Sequence, residues 1–242
     1  MEEVELTGGN MQPVVRVGDT VRRVAGEWTP AVHALLERLA AAGVAETPRA
    51  LGFDAQGREV LSFIDGVVLE DSSVPWSHEV LTAAGRLLRR IHDASAPLAD
   101  DETLVWRSPR REPAEVVCHN DFATYNLIAR DDALVGVIDF DFASPGSRLW
   151  DLAYLAYRIV PFVEDARHPG DLDRTGRLEA LVAAYGVPFT RAEVLRTAAD
   201  RLDDLRAFTL DRAAETGRED FVQHAAMYGR DAASLRAAAS MT

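Results

Sequence analysis

Lysine is absent from this chain. Its 26 basic residues are all arginine, and they stand against 39 acidic ones, a formal net charge of −13. That balance argues against binding a nucleic-acid backbone and is compatible with a cationic small-molecule partner. The single cysteine, Cys118, allows no internal disulfide and reads as a small buried strand residue. No stretch approaches the roughly eighteen uncharged apolar residues of a membrane span, and no apolar core follows Met1-Glu2-Glu3, so the expectation is a cytoplasmic chain with no membrane partner. No Gly/Ser linker, low-complexity tract or internal repeat divides the 242 residues. What is present is ordinary for a globular protein: 48% apolar and 27% charged residues, in a chain long enough for one large or two modest cores.

The chemistry concentrates in Val116–Leu152. Val116-Val117-Cys118 reads as a buried strand, followed by Asp121 and, five residues later, Asn126. Leu127-Ile128-Ala129 and Leu134–Ile138 flank the polar turn Arg130-Asp131-Asp132, a hairpin signal. The hairpin returns the chain so that Asp139 lies beside the loop carrying Asp121 and Asn126. Carboxylate and amide oxygens converging in this way suit Mg²⁺, a hard cation held by one or two carboxylates together with substrate phosphates. Phosphoryl transfer is the chemistry these residue types point to.

His119-Asn120-Asp121 with Asn126, followed by Ile138-Asp139-Phe140, resembles the catalytic loop and metal-binding aspartate of the aminoglycoside phosphotransferase family, small-molecule kinases with a protein-kinase-like fold. Trp150-Asp151-Leu152-Ala153, where an aspartate opens a helix, matches a further family pattern. The second motif reads Asp139-Phe140-Asp141, without the glycine of protein kinases. The resemblance implies an α+β, bilobal fold: a small antiparallel-sheet N-lobe over residues 1–64 and a larger, mostly helical C-lobe over 65–242. It implies ATP and Mg²⁺ as cofactors. Asp121 would be the catalytic residue that orients the acceptor hydroxyl, with His119 supporting the loop. Asn126 and Asp139 would hold the metal, and Asp141 would assist from beside it.

Taken in order, the chain opens with a strand at Val4-Glu5-Leu6 and the turn Thr7-Gly8-Gly9-Asn10, flexible enough at Gly8 and Gly9 for backbone N–H groups to approach phosphate. Val14–Val17 and Thr20–Val24 form a hairpin. The family's phosphate lysine sits near the end of the third strand, and its place here falls to Arg22-Arg23. Strand alternation sends the two side chains to opposite faces, and Arg23 is the one expected to reach the nucleotide. Arginine's planar fork differs from an ammonium, so the contact cannot be equivalent. Thr29 as N-cap and Pro30 start a helix with Val32, Leu35, Leu36 and Leu39 in one stripe up to Gly43. The acidic partner of the strand cation would come from this helix, where Glu37 is the only acid and His33 lies one turn earlier.

Leu51–Asp54 and Arg58–Phe63 form another hairpin. Ser62-Phe63-Ile64-Asp65-Gly66 resembles the inter-lobe hinge, where the Ser62 carbonyl and the Ile64 N–H would read adenine. Ser77 caps a helix carrying Val80, Leu81, Ala84, Leu87, Leu88 and Ile91 up to His92-Asp93, and residues 96–113 form an irregular connection. Thr190 and Glu193 make a capping box, and a last helix runs from about 218 to 238. Asp203, Asp204 and Asp211 on these late helices are candidates for meeting substrate amines. The partner implied is a hydroxylated small molecule: an aminoglycoside, or another metabolite such as an amino sugar, a choline-like alcohol or a macrolide. The missing lysine and short glycine turn leave open a nucleotide-binding homologue without activity.

Overall fold

The computed structural model describes residues 3–6, 14–163, 168 and 170–241. The Gly8-Gly9 turn lies outside the described residues. The chain divides into two compact units, residues 1–74 with 89–147, and residues 75–88 with 148–242.

In the first unit, β1 (Val4–Glu5), β2 (Val14–Val17), β3 (Thr20–Arg23), β4 (Ala50–Phe53) and β5 (Glu59–Ser62) form one antiparallel sheet in the order β1-β2-β3-β5-β4. Because β5 is inserted between β3 and β4, Arg23 comes directly opposite Glu59, and Arg22 opposite Val60. Helix α1 (Thr29–Ala41) follows β3 and buries Val32, Leu35, Leu36 and Leu39, the stripe its spacing predicts. Its cap differs from expectation by one residue. Trp28 occupies the N-cap, and the Thr29 hydroxyl instead accepts a hydrogen bond from the Gly26 N–H at 2.9 Å.

Two smaller sheets carry the motif region. β7 (Val116–Cys118) pairs with β10 (Ser144–Gly146), and β6 (Val67–Val68), β8 (Leu127–Arg130) and β9 (Ala133–Val137) pair in the order β6-β8-β9. The β8–β9 hairpin is the one the sequence signals. Asp131 and Asp132 both have positive φ, 50° and 60°, as a two-residue turn between right-twisted strands requires. The three-residue β10 and two-residue β6 are too short to leave a periodic signal. At Gly136 a Cβ would come within 2.8 Å of Ile64, so the segment after β5 seats against β9 only because that position has no side chain.

Helix α2 (His78–Ser95) starts where expected, with the Ser77 hydroxyl accepting from the Val80 N–H at 3.1 Å. The division between the units passes through it at Leu88. The second unit is otherwise α3 (Arg148–Ile159), α4 (Arg174–Tyr185), α5 (Arg191–Thr216) and α6 (Glu219–Ala239). The Thr190–Glu193 capping box that starts α5 forms in full. Helix α4 was not foreseen, although Asp173 caps it through the Gly176 N–H and Gly186, at φ 82°, ends it. Within this unit the Tyr157 hydroxyl donates to buried Asp231 at 2.6 Å, and burial followed by that carboxylate pushes the phenol far above its ordinary range. No helix among the described residues is long and apolar enough to cross a membrane.

Candidate active site

The segment between β7 and β8 holds Asp121 in place through its neighbours. His119 is buried, and its Nδ1 accepts from the Asp121 N–H at 3.2 Å while its Nε2 lies 3.1 Å from the Ile138 carbonyl. A backbone N–H can only donate and a carbonyl only accept, so the ring is held as the Nε2–H tautomer. One imidazole thus ties Asp121 to the residue before Asp139. Asn120, at φ 62°, donates from Nδ2 to the Phe142 carbonyl at 2.9 Å and to the Ser144 hydroxyl at 2.8 Å. The left-handed conformation, which Asn tolerates better than most residues, turns the chain so that His119 points inward and Asp121 points away.

Asp121 accepts from the Asn126 amide at 2.9 Å on Oδ2 and from the Tyr125 hydroxyl on Oδ1. The same Asn126 Nδ2 also donates to the Asp121 carbonyl at 2.9 Å. Both donor positions of the amide are spent on Asp121, which fixes the amide's orientation. Its Oδ1 takes no hydrogen bond among the described residues. The Ile138 N–H donates to the Asn126 carbonyl at 2.9 Å, so Asp139, the next residue and itself left-handed at φ 64°, lies beside that amide. The three residues the motif nominates therefore lie together, at one end of the β8–β9 hairpin.

Arg23 reaches the same place from β3. Its guanidinium meets Asp139 Oδ1 at 3.2 Å and Asp141 Oδ1 at 2.7 Å, and it pairs with Glu59. Arg22 points the other way, 2.6 Å from the Thr20 hydroxyl and 3.7 Å from Asp54. Burial works to lower the Arg23 pKa, but Asp141, Glu59 and Asp139 together outweigh it and the value is raised. Burial lifts the Asp141 carboxyl above its usual range, assisted by Asp139 and Glu59 and opposed by Arg23.

Glu59 is the residue sequence reasoning missed. It is 1% exposed and accepts from Arg23, while its second oxygen lies 2.9 Å from His33 Nε2 on α1. The acid beside the strand cation thus comes from the neighbouring strand, with His33 behind it, and Glu37, one turn further along the helix, is exposed. Tyr125 was also unforeseen.

Ser62 closes β5, its hydroxyl accepting from the Arg49 N–H at 2.8 Å. Phe63 spends its N–H on the Asp19 carbonyl at 2.9 Å, whereas the Ile64 N–H donates to no protein acceptor among the described residues. In the second unit, Asp203, Asp204 and Asp211 are exposed on α5, and Asp203 is engaged by Arg236 at 2.5 Å.

Asn126, with both N–H positions spent, and Asp139, which shares Arg23 with Asp141, offer oxygen donors of the kind Mg²⁺ takes. The donor chemistry fits a magnesium–nucleotide complex.

Comparison with known proteins agrees with this geometry. Residues 4–111 and 99–195 match the model of the phosphotransferase enzyme family. A trifolitoxin immunity protein of Rhizobium leguminosarum bv. trifolii is 39% identical over 170 residues, 68% of this chain and 64% of that protein. The N-acetylmuramate/N-acetylglucosamine kinase of Caulobacter vibrioides is 30% identical over 152 residues, 60% of this chain and 40% of the kinase. The chain thus spans less than two thirds of the length of either curated relative. The crystal structure of a choline/ethanolamine kinase family protein from Mesorhizobium loti has the same fold, with a TM-score of 0.67 at 21% identity over 97% of this chain and 88% of that one. The α+β kinase-like architecture expected from the motifs is the one found, and the chain belongs to the phosphotransferase enzyme family.

Proposed function

We propose that this protein transfers the γ-phosphoryl group of ATP to a hydroxyl of a small molecule. The observation that carries the reading is the Asn126 amide, locked by Asp121 through both N–H positions, on the residue whose carbonyl accepts from Ile138, next to Asp139. In this reading residues 1–64 cover the nucleotide, and residues 65–242 carry the catalytic loop and the acceptor site. ATP with Mg²⁺, when bound, supplies the phosphoryl group and neutralises its charge, and Asn126 and Asp139 would hold the metal with Asp141 assisting. Ile64 offers its N–H to the base, next to the Ser62 carbonyl, and Arg23 faces the phosphates. Asp121, oriented by Asn126 and Tyr125, aligns the acceptor hydroxyl and takes its proton as the new O–P bond forms and the bond to the ADP leaving group breaks. His119 keeps the loop in register. Most of the rate enhancement then comes from alignment and charge neutralisation rather than from covalent chemistry by the protein.

For the acceptor, the acidic surface and the family favour a cationic molecule such as an aminoglycoside, which would make the protein an antibiotic-resistance enzyme. Amino sugars and amino alcohols are supported by the names of the Caulobacter and Mesorhizobium relatives. Asp203, Asp204 and Asp211 are the candidate contacts for acceptor amines. Incubating the protein with MgATP and a mixed library of aminoglycosides, macrolides, amino sugars and amino alcohols, then searching by mass spectrometry for a gain of one phosphate, tests the reading. Nucleotide binding with no phosphorylated product across the library would favour a binding homologue.

A further inference from the structure

We propose that Arg107 is a second cation for the nucleotide's phosphates, acting beside Arg23 in a chain that has no lysine; the inference rests on the phosphotransferase reading above. Arg107 lies in the irregular connection before β7, where no motif points to it. Its guanidinium carbon is 4.5 Å from the Trp28 ring centre and 4.6 Å from that of Phe142. Trp28 is seated in turn. A Cβ on Gly26 would meet its ring at 2.4 Å, so the glycine is what lets the indole lie there.

The two rings orient the guanidinium plane without consuming its N–H groups. Among the described residues Arg107 makes one hydrogen bond, a long one of 3.4 Å to Asp141 Oδ2. The other oxygen of that carboxylate is already held at 2.7 Å by Arg23. Arg107 is therefore a fixed, partly exposed fork whose remaining donors have no protein acceptor, sharing a carboxylate that another arginine neutralises. Holding an arginine against two rings for a contact of that length gains little for the fold. It is well suited to receive an anion with planar, two-pronged geometry.

The charges give the same answer. Arg23 and Arg107 face Glu59, Asp139 and Asp141, so the cluster is negative by one charge alone and positive by one with a divalent ion on Asp139. Only the second state attracts a polyphosphate. Its carboxylate partner Asp141 lies two residues from Asp139, which assigns the fork to the nucleotide rather than to the acceptor.

The experiment is isothermal titration of the full chain with MgATP, MgADP and AMP, comparing wild type with Arg107→Gln, whose planar amide can remain between the rings. The proposal expects MgATP affinity to fall about tenfold to a hundredfold, MgADP by less, and AMP not at all. An equal loss for all three nucleotides would mean that Arg107 only supports the fold, and an unchanged ATP-to-AMP affinity ratio would likewise overturn the proposal. Should Arg107→Gln fail to fold, Arg107→Lys, which keeps the charge and loses the fork, is read by the same ratio, and a fall in it is expected. Wild-type protein that binds no MgATP would overturn both this inference and the function on which it rests. Binding by wild type with an unaltered ratio in the variants would overturn this inference alone.

Discussion

Two arginines in this protein each gather carboxylates, and they do so in opposite surroundings. Arg23 in the first unit is 12% exposed and meets Glu59, Asp139 and Asp141, with Glu59 almost wholly buried. Arg236 on α6 is 44% exposed and meets Asp200 and Asp203, which are 66% and 47% exposed. A list of ion pairs would treat them alike. Exposed pairs gain little, because solvent screens them and the side chains lose freedom. A buried cluster is costly to assemble and more costly to break, so its presence calls for a reason other than stability. In a chain of net charge −13 most acids are solvated surface. Around Arg23, Glu59 and Asp141 are withdrawn from water while Asp139, 44% exposed, stays open to solvent, so the shared cation joins a buried acid to an accessible one.

The sharpest way to break that comparison is to remove the groups proposed to handle the phosphoryl transfer. Asp121→Ala and Asp139→Ala should each lower turnover by at least about a hundredfold to ten-thousandfold, in steady-state assays with a substrate from the library screen, with the thermal melt retained. Wild-type rates in either would remove the assignment.

Next in size, Glu59→Ala leaves Arg23 and His33 without the carboxylate between them. It should cost about 3–5 kcal/mol in urea unfolding, and Glu59→Gln clearly less. A loss no larger than that of an exposed pair would show that burial does not distinguish the two clusters.

Arg23→Ala should weaken MgATP binding about tenfold or more by titration calorimetry, and Arg22→Ala should leave it unchanged, because Arg22 faces Thr20 and Asp54. Equal effects would contradict the strand register. Smallest of all, Arg236→Ala should stay within about 1 kcal/mol of wild type in stability, with the difference fading as salt is added.

What was legible in the sequence is what is local. The Asp121–Asn126 spacing, the Asp131-Asp132 turn and the apolar stripes of α1 and α2 each reside in a few consecutive turns or strands, where periodicity and turn chemistry speak directly. The divergence of Arg22 and Arg23 followed from strand alternation alone. Glu59 was hidden because its pairing with Arg23 depends on β5 lying between β3 and β4, a choice of strand order that a run of four residues does not encode. Looking for the acid on α1 followed the family pattern, and that helix supplies His33 instead. Arg107 sits among prolines with no regular spacing, and its surroundings, Trp28 and Phe142, come from distant parts of the chain. Tyr125 falls between two motif residues without a motif role of its own, and its hydroxyl contact to Asp121 follows from the loop geometry.

The central claim is that Asn126 and Asp139 form a metal-dependent nucleotide site. Titrating wild type and Asp139→Ala with ATP, in the presence of Mg²⁺ and again with a chelator, tests it most directly. The account predicts that Mg²⁺ tightens ATP binding to wild type and has no such effect on the variant. Equal enhancement by Mg²⁺ in both proteins would contradict it.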